Sequence, residues 1–288
     1  MNRREALRAL LASSRPLVMP DAYDGLSARL IQEAGFKAVQ CSGYSMALAS
    51  RADREEGLSL ERNLAITRDI VQAVSVPVMA DGEDGFGSPS DVRTTVAAFI
   101  QAGVAGINIE DQVLPPGSAR AVVAPPLMIE KLHAARDAAA RADTADLVIN
   151  GRTDVLAARA TRSEGISEAI VRGNQYLEAG ADLVFVTGVR TPDEARELVA
   201  GIRGPVSIAA GLPYNAKTLP LAALRDCGVA RISLPVVAVM AAVKAVKKTL
   251  SILNTTASLD AVLDENLLCQ QQEVEDIFGA RNAEEAQA

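Results

Sequence analysis

Four times along the chain a helical pattern ends in a glycine and an apolar strand begins within a few residues. The segments are Glu33-Ala34-Gly35-Phe36 before Ala38-Val39-Gln40-Cys41, Gln101-Ala102-Gly103-Val104 before Ile107-Asn108-Ile109, Glu178-Ala179-Gly180-Ala181 before Leu183-Val184-Phe185-Val186, and Asp226-Cys227-Gly228-Val229 before Arg231-Ile232-Ser233-Leu234. Glycine takes the left-handed conformation that closes a helix without steric penalty. Between these segments lie four more short apolar runs: Leu17-Val18-Met19, Val76-Pro77-Val78-Met79, Leu147-Val148-Ile149 and Val206-Ser207-Ile208. Each run is followed by a helical pattern, over 24–34, 61–74, 89–102, 127–141, 165–179, 192–202, 217–227 and 236–251. Ser88-Pro89-Ser90-Asp91 and Thr191-Pro192-Asp193-Glu194 place a hydroxyl cap, a first-turn proline and acids at two helix starts. Eight βα units in about 235 residues predict an α/β protein of the (β/α)8 TIM-barrel class. A doubly wound open sheet is the runner-up, but no G-x-G-x-x-G follows the first strand. Gly82, Gly85 and Gly87 follow the third, among acids that would repel a pyrophosphate.

Beyond residue 252 the pattern changes to two short helices around Leu259-Asp260-Ala261-Val262-Leu263 and Val274-Glu275-Asp276-Ile277-Phe278. Their apolar faces have no strand to cover, so a partner subunit is their expected home. The organisation read from the sequence is a barrel with an N-terminal helix over 1–252 and a helical extension for subunit packing over 253–288.

Two acidic segments sit where a barrel builds its sites, at the carboxyl ends of apolar strands. Asp81-Gly82-Glu83-Asp84-Gly85-Phe86-Gly87 follows the third strand, and Glu110-Asp111-Gln112 follows the fourth. Clustered carboxylates repel and resist desolvation unless a cation joins them, and an all-oxygen set suits a hard ion such as Mg²⁺. The plainer alternative is that these acids cap the helices that follow. The other strand ends carry Asp21 and Asp24, Ser42-Gly43-Tyr44, Gly151-Arg152-Thr153-Asp154, Thr187-Gly188 and Gly211-Leu212-Pro213-Tyr214-Asn215. Arg152 reads as the single cation of the mouth, either a counter-ion for the acids or the holder of an anionic substrate.

Other features narrow the chemistry. The net charge of −7, from 29 Lys and Arg against 36 Asp and Glu, argues against a nucleic-acid partner, as does the absence of Trp. No apolar run has the length of a membrane span, so no membrane partner is expected. Cys41, Cys227 and Cys269 have no metal-ligand spacing and leave one over if paired, which fits a reducing, cytoplasmic setting. The arginine-bearing start, Met1 to Pro16, reads as an amphipathic helix over one end of the fold; a transit peptide is the alternative. His133, the only histidine, lies well down a helix, which disfavours histidine acid–base chemistry and histidine-ligated zinc. No lysine stands at a strand end, against a Schiff-base aldolase. The stretch from Gln112 to Pro126, framed by Pro115-Pro116-Gly117 and Pro125-Pro126, is long enough for a lid and carries Ser118 and Arg120; an inert surface excursion is the alternative.

At these residues the chain resembles the phosphoenolpyruvate mutase/isocitrate lyase superfamily. The resemblance runs from Pro20-Asp21-Ala22-Tyr23-Asp24-Gly25-Leu26-Ser27-Ala28 through Cys41-Ser42-Gly43-Tyr44 and the two acidic segments to Gly151-Arg152-Thr153-Asp154. It implies a (β/α)8 barrel whose last helix is swapped between subunits, as a homo-oligomer, dimer or tetramer, with Mg²⁺ and a 2-oxo acid or its enolate as the reacting species. By motif, Asp81 is implied as the direct Mg²⁺ ligand, with Glu83, Glu110 and Asp53 holding metal-bound waters. Ser42, Gly43, Tyr44 and Arg152 are implied as binders of a small anionic carboxylate substrate. Arg152, Ser118 and Asp53 form the implied catalytic set.

Three departures bear on the reaction. Glu83 stands where the family usually has Asp. Pro116-Gly117-Ser118-Ala119-Arg120 stands where the lyase branch carries Lys-Arg-Cys-Gly-His and the mutase branch Lys and Asn, and a hydroxyl is a poorer proton donor than a thiol. Thr187 stands where the lyases often place Glu. The expected function is a Mg²⁺-dependent C–C lyase or decarboxylase of a small 2-oxo or 2-hydroxy di- or tricarboxylate, through an enolpyruvate-like intermediate. The alternatives are a phosphonopyruvate hydrolase or mutase-type P–C enzyme and a barrel that binds a metabolite without turning it over.

Overall fold

A computed structural model describes residues 2–50, 57–113 and 121–277. Asp53, the lid positions Ser118 and Arg120, and Phe278 lie outside the described residues. In chain order the elements are α1 (Arg3–Leu11), β1 (Leu17–Ala22), α2 (Gly25–Glu33), β2 (Val39–Cys41), α3 (Gly43–Ala49), α4 (Leu60–Ala73), β3 (Val78–Asp81), α5 (Pro89–Gln101), β4 (Gly106–Glu110), β5 (Gln112–Val113), β6 (Ala121–Val122), α6 (Pro125–Arg141), β7 (Val148–Thr153), α7 (Val155–Ala158), α8 (Arg162–Glu178), β8 (Leu183–Val186), α9 (Pro192–Gly201), β9 (Val206–Ala209), α10 (Leu221–Asp226), β10 (Arg231–Leu234), α11 (Val237–Thr256) and α12 (Asp260–Asp264). A further helical stretch covers 271–277.

Eight parallel strands close in the order β1-β10-β9-β8-β7-β4-β3-β2, which settles the choice between barrel and open sheet. The four glycines of the repeated helix stop, Gly35, Gly103, Gly180 and Gly228, have φ of +87°, +88°, +99° and +78°. Each strand is then free to leave its helix at once, as the sequence pattern demands. Between strands and outer helices the core is aliphatic, with Val92, Val96 and Phe99 of α5 and Leu132 and Ala135 of α6 fully buried against Ile107 and Ile149.

The N-terminal helix closes the amino ends of the strands. A capping box between Asn2 and Glu5 starts it, and fully buried Leu7 packs with Leu17, Met19, Met79 and Val148. Its arginines bind carbonyls that the barrel leaves open: Arg3 donates to Val71 and Val74, Arg8 to Asp146 and Leu147. Arg3, Arg4 and Arg8 are therefore engaged in holding the barrel's lower end.

The chain divides into two compact units, Met1–Val236 and Val237–Ala288. Within the second, α11 and α12 join through an ion pair between Lys248 and Glu265. Val243, Val246 and Leu250 of α11 and Leu259 and Leu263 beside them are exposed. Among the described residues no helix is long and apolar enough to cross a membrane.

Candidate active site at the carboxyl ends of the strands

Three of the predicted acids meet. Asp81 ends β3, Glu83 follows in its loop and Glu110 ends β4, and one carboxylate oxygen from each lies within 4.8 Å of the others. The loop that makes this possible is held at several points. Gly82 donates to the Asn108 carbonyl (3.0 Å), and the Glu83 carbonyl accepts from the Glu110 amide (2.9 Å), so the two acidic segments are tied backbone to backbone. Glu83 sits at φ +49° and Phe86 at +59°, a conformation that side chains rarely adopt. Lys131 of α6, its side chain 3% exposed, anchors the turn through the Asp84 carbonyl (2.6 Å) and carboxylate (3.1 Å).

The second strand supplies the other wall. Ser42 caps α3, its hydroxyl accepting from Ser45 N (3.4 Å), and Gly43 N donates to Asp81 Oδ2 (2.9 Å). Asp81 Oδ1 is buried and has no hydrogen-bond partner among the described residues. A buried carboxylate oxygen left without a donor is what a cation would complete, and the three-acid, all-oxygen set fits a hard divalent ion.

Gly43 has a steric reason to be glycine. A Cβ there would fall 1.7 Å from Glu83 Oε1, the movable end of a flexible side chain. Gly43→Ala is thus expected to fold normally but to push the Glu83 carboxylate out of the cluster. Mg²⁺ affinity by calorimetric titration should weaken by about tenfold, the loss of one charged ligand from a small set. Unchanged affinity would remove Glu83 from the metal site.

Arg152 closes the arrangement from β7. The register of β4 on β7 aligns Glu110 with Arg152, and Nη1 lies 2.5 Å from Glu110 Oε2. Asp154 takes the other edge of the guanidinium, at 2.8 Å from Nε and 3.2 Å from Nη2. Burial works against the charge of Arg152, but Asp154, Glu110 and Asp81 outweigh it and hold the group protonated well above its ordinary range. The Phe185 ring centroid lies 5.8 Å from Cζ, a cation–π contact. Thr187 reaches the same assembly by donating to Asp154 Oδ1 (2.7 Å).

Other residues read as mouth residues have different duties. Asp24 caps α2 by accepting from Ser27 N (2.7 Å), and buried Asp21 accepts from Ser45 Oγ (2.8 Å). Asp111 turns away from Glu110 into a buried network with Tyr176 Oη (2.7 Å), Thr153 Oγ1 (2.7 Å) and Arg172 Nη1 (3.2 Å). Burial raises its pKa, and these donors offset part of that. Tyr44 is exposed, and Asn215 is buried holding the Val189 and Ala209 carbonyls. The ends of the predicted lid are paired as the antiparallel strands β5 and β6. His133 is exposed on α6. Burial pushes the Cys41 thiol up to about 12, so it is no nucleophile at neutral pH.

Sequence reasoning missed Asp154 as the clamp on Arg152, Lys131 as the anchor of the acidic loop, and the fully buried Arg231. Arg231 is the first residue of β10 and lies further inside the barrel than Arg152. The available signal was an arginine inside an apolar strand, Ala230-Arg231-Ile232, which needs an interior reason to be there.

Closed barrel, paired acidic segments and an interior arginine describe a barrel with an acidic cluster that could hold a metal ion. Residues 7–253 match the phosphoenolpyruvate phosphomutase family, and the chain belongs to that family, within the phosphoenolpyruvate mutase/isocitrate lyase superfamily. It is 36% identical over 209 residues to 2,3-dimethylmalate lyase of Eubacterium barkeri, covering 71% of this chain and 70% of the relative. It is 36% identical over 268 residues to probable 2-methylisocitrate lyase 2 of Corynebacterium glutamicum, covering 90% and 84%. The structure of phosphonopyruvate hydrolase with oxalate and Mg²⁺ superposes with a TM-score of 0.85 at 29% identity, covering 99% of this chain and 97% of that one. The protein is an enzyme of this superfamily, and relatives in it are lyases.

Proposed function

We propose that the chain is a Mg²⁺-dependent C–C lyase or decarboxylase acting on a small 2-oxo or 2-hydroxy di- or tricarboxylate. The observation that carries this reading is the pairing of a cation site with an anion site: Asp81 Oδ1 lacks a donor, and the adjoining rung sets Glu110 beside Arg152. In this reading Asp81 holds the ion directly and Glu83, Glu110 and Asp53 hold it through its waters. When bound, the ion supplies Lewis-acid charge for an oxyanion.

The chain's own residues do the rest. Loss of a carboxylate from the carbon beside a 2-oxo group leaves the bonding pair in an enolate, and the Arg152 guanidinium is the fixed charge that stabilises it. Asp154 and Phe185 keep the guanidinium oriented, while Ser42, Gly43 and Tyr44 bind the far carboxylate. Ser118 is assigned the proton delivery for which lyases of the family use a thiol.

A second reading, a P–C bond enzyme, is favoured by that same serine, because a hydroxyl can contact a phosphoryl group or align a water. Oxaloacetate, 2-methylisocitrate and phosphonopyruvate should be incubated with the enzyme and Mg²⁺ while pyruvate and phosphate are followed. Pyruvate without phosphate is the expected result. Phosphate from phosphonopyruvate alone would replace the reading with the second, and binding without turnover of any compound would leave a metabolite-binding barrel. We also propose a cytoplasmic homo-oligomer, dimer or tetramer, in which α11 is exchanged between subunits and its exposed Val243, Val246 and Leu250 are covered.

A further inference from the structure

Arg231 of β10 is fully buried, and among the described residues its hydrogen-bond partners are neutral. Its guanidinium donates to Ser207 Oγ (3.0 Å) on β9 and to Gln40 Oε1 on β2, and Nε lies 3.2 Å from Met19 Sδ on β1. Its Cζ stands 5.2 Å from the Phe185 centroid, the ring that Arg152 also contacts. Two guanidinium groups thus share one aromatic ring inside the barrel, one clamped by carboxylates at the mouth and the other further in without any.

This is an expensive arrangement if its only purpose is packing. Taking a cation out of water without a bonded anion is unfavourable, and barrel interiors are ordinarily filled with branched apolar side chains. Burial lowers the group's pKa to about 9 against the opposing pull of Asp81, which still leaves it charged at neutral pH. In the low-dielectric interior its field reaches the mouth: Asp81 attracts it and Arg152 repels it.

We propose that Arg231 is a positioning residue that sets the charge balance of the mouth, strengthening its hold on a dicarboxylate and weakening its hold on a divalent cation. The proposal goes beyond the assignment of Asp81, Glu83 and Glu110 to a metal and rests on it. Arg231 touches none of the three. It acts on them at a distance, and on Arg152 through the shared Phe185 ring.

The test uses the opposite signs of the two effects. Arg231→Met keeps length and flexibility beside Met19 and removes the charge. Calorimetric titration of this variant with Mg²⁺ alone should show affinity tightened by about three- to tenfold, as expected for removing a like charge across a low-dielectric interior. Titration with oxalate at saturating Mg²⁺ should show affinity weakened by a similar factor, about three- to tenfold. Arg231→Lys should leave both affinities within about twofold of the parent, because the charge is kept. A loss of packing alone would weaken both ligands together, and that result, or no change in either, would overturn the proposal. Should Arg231→Met fail to fold, Arg231→Met with Gln40→Leu removes the acceptor that the first change strands. If the parent binds oxalate but no Mg²⁺, the metal assignment falls while the oxalate arm, run without metal, still decides on Arg231; if it binds neither, both fall.

Discussion

Asp81→Ala is expected to lower Mg²⁺-dependent turnover by at least about 10³-fold while leaving the fold intact. The carboxylate is buried at the end of β3 with one oxygen on Gly43 N and the other on nothing among the described residues. Beyond that one hydrogen bond, it contributes to folding through its attraction for Arg152 and Arg231. Its removal also relieves repulsion with Glu83 and Glu110, whose oxygens lie within 4.8 Å. In chelator, therefore, the variant should melt no lower than about 2 °C below the parent, since the lost hydrogen bond and arginine attraction are offset by the lost repulsion among the acids. With Mg²⁺, the parent should be stabilised and the variant should not, because only the parent retains the site. Turnover with the substrate found in the oxaloacetate, methylisocitrate and phosphonopyruvate screen gives the first measurement, and thermal melts with and without Mg²⁺ give the second. Full activity in the variant would end the metal-site reading.

Much of this architecture was legible before any coordinates. The helix-stop glycines predicted where four strands begin because a left-handed residue is a local demand, satisfied within the segment itself. The acidic segments were legible for a related reason: charge directly after an apolar strand is visible without knowing which strands are neighbours. Partnerships across the barrel were not. The Glu110–Arg152 rung exists because β4 pairs with β7, and β5, β6 and α6 separate them in the chain. Reading Glu110-Asp111 as one acidic block overlooked alternation: the two are adjacent in sequence, so one enters the acid cluster and the other faces Tyr176 and Arg172. The short helices α3 and α7 sit within βα connections and are too brief to show a period. Arg231 was read as part of an ordinary strand, since its role depends on Phe185 and Gln40 arriving from two other strands.

The same geometry sharpens what Arg152 should do. Its guanidinium is pinned by Glu110 on one nitrogen and by Asp154 on two, and it is rested against Phe185. Lysine carries the same charge on a single nitrogen, so it can satisfy one of these acids and cannot present a planar fork to a substrate carboxylate. Arg152→Lys is therefore expected to weaken oxalate binding at saturating Mg²⁺ by about 1–3 kcal/mol, the range for hydrogen bonds to charged groups. The melting temperature should fall as well, because one buried carboxylate loses its partner. The two effects separate through Thr187, which donates to Asp154 Oδ1 and reaches Arg152 only through that carboxylate. Thr187→Val should lower stability by about 1.5–3 kcal/mol, the range for a hydrogen bond to a charged group, while leaving oxalate affinity within about threefold of the parent. If Arg152→Lys behaved like Thr187→Val, losing stability but keeping its oxalate affinity, Arg152 would be a counter-ion for the acids alone. A large loss of affinity in Arg152→Lys, set against the small one in Thr187→Val, would place the guanidinium on the substrate.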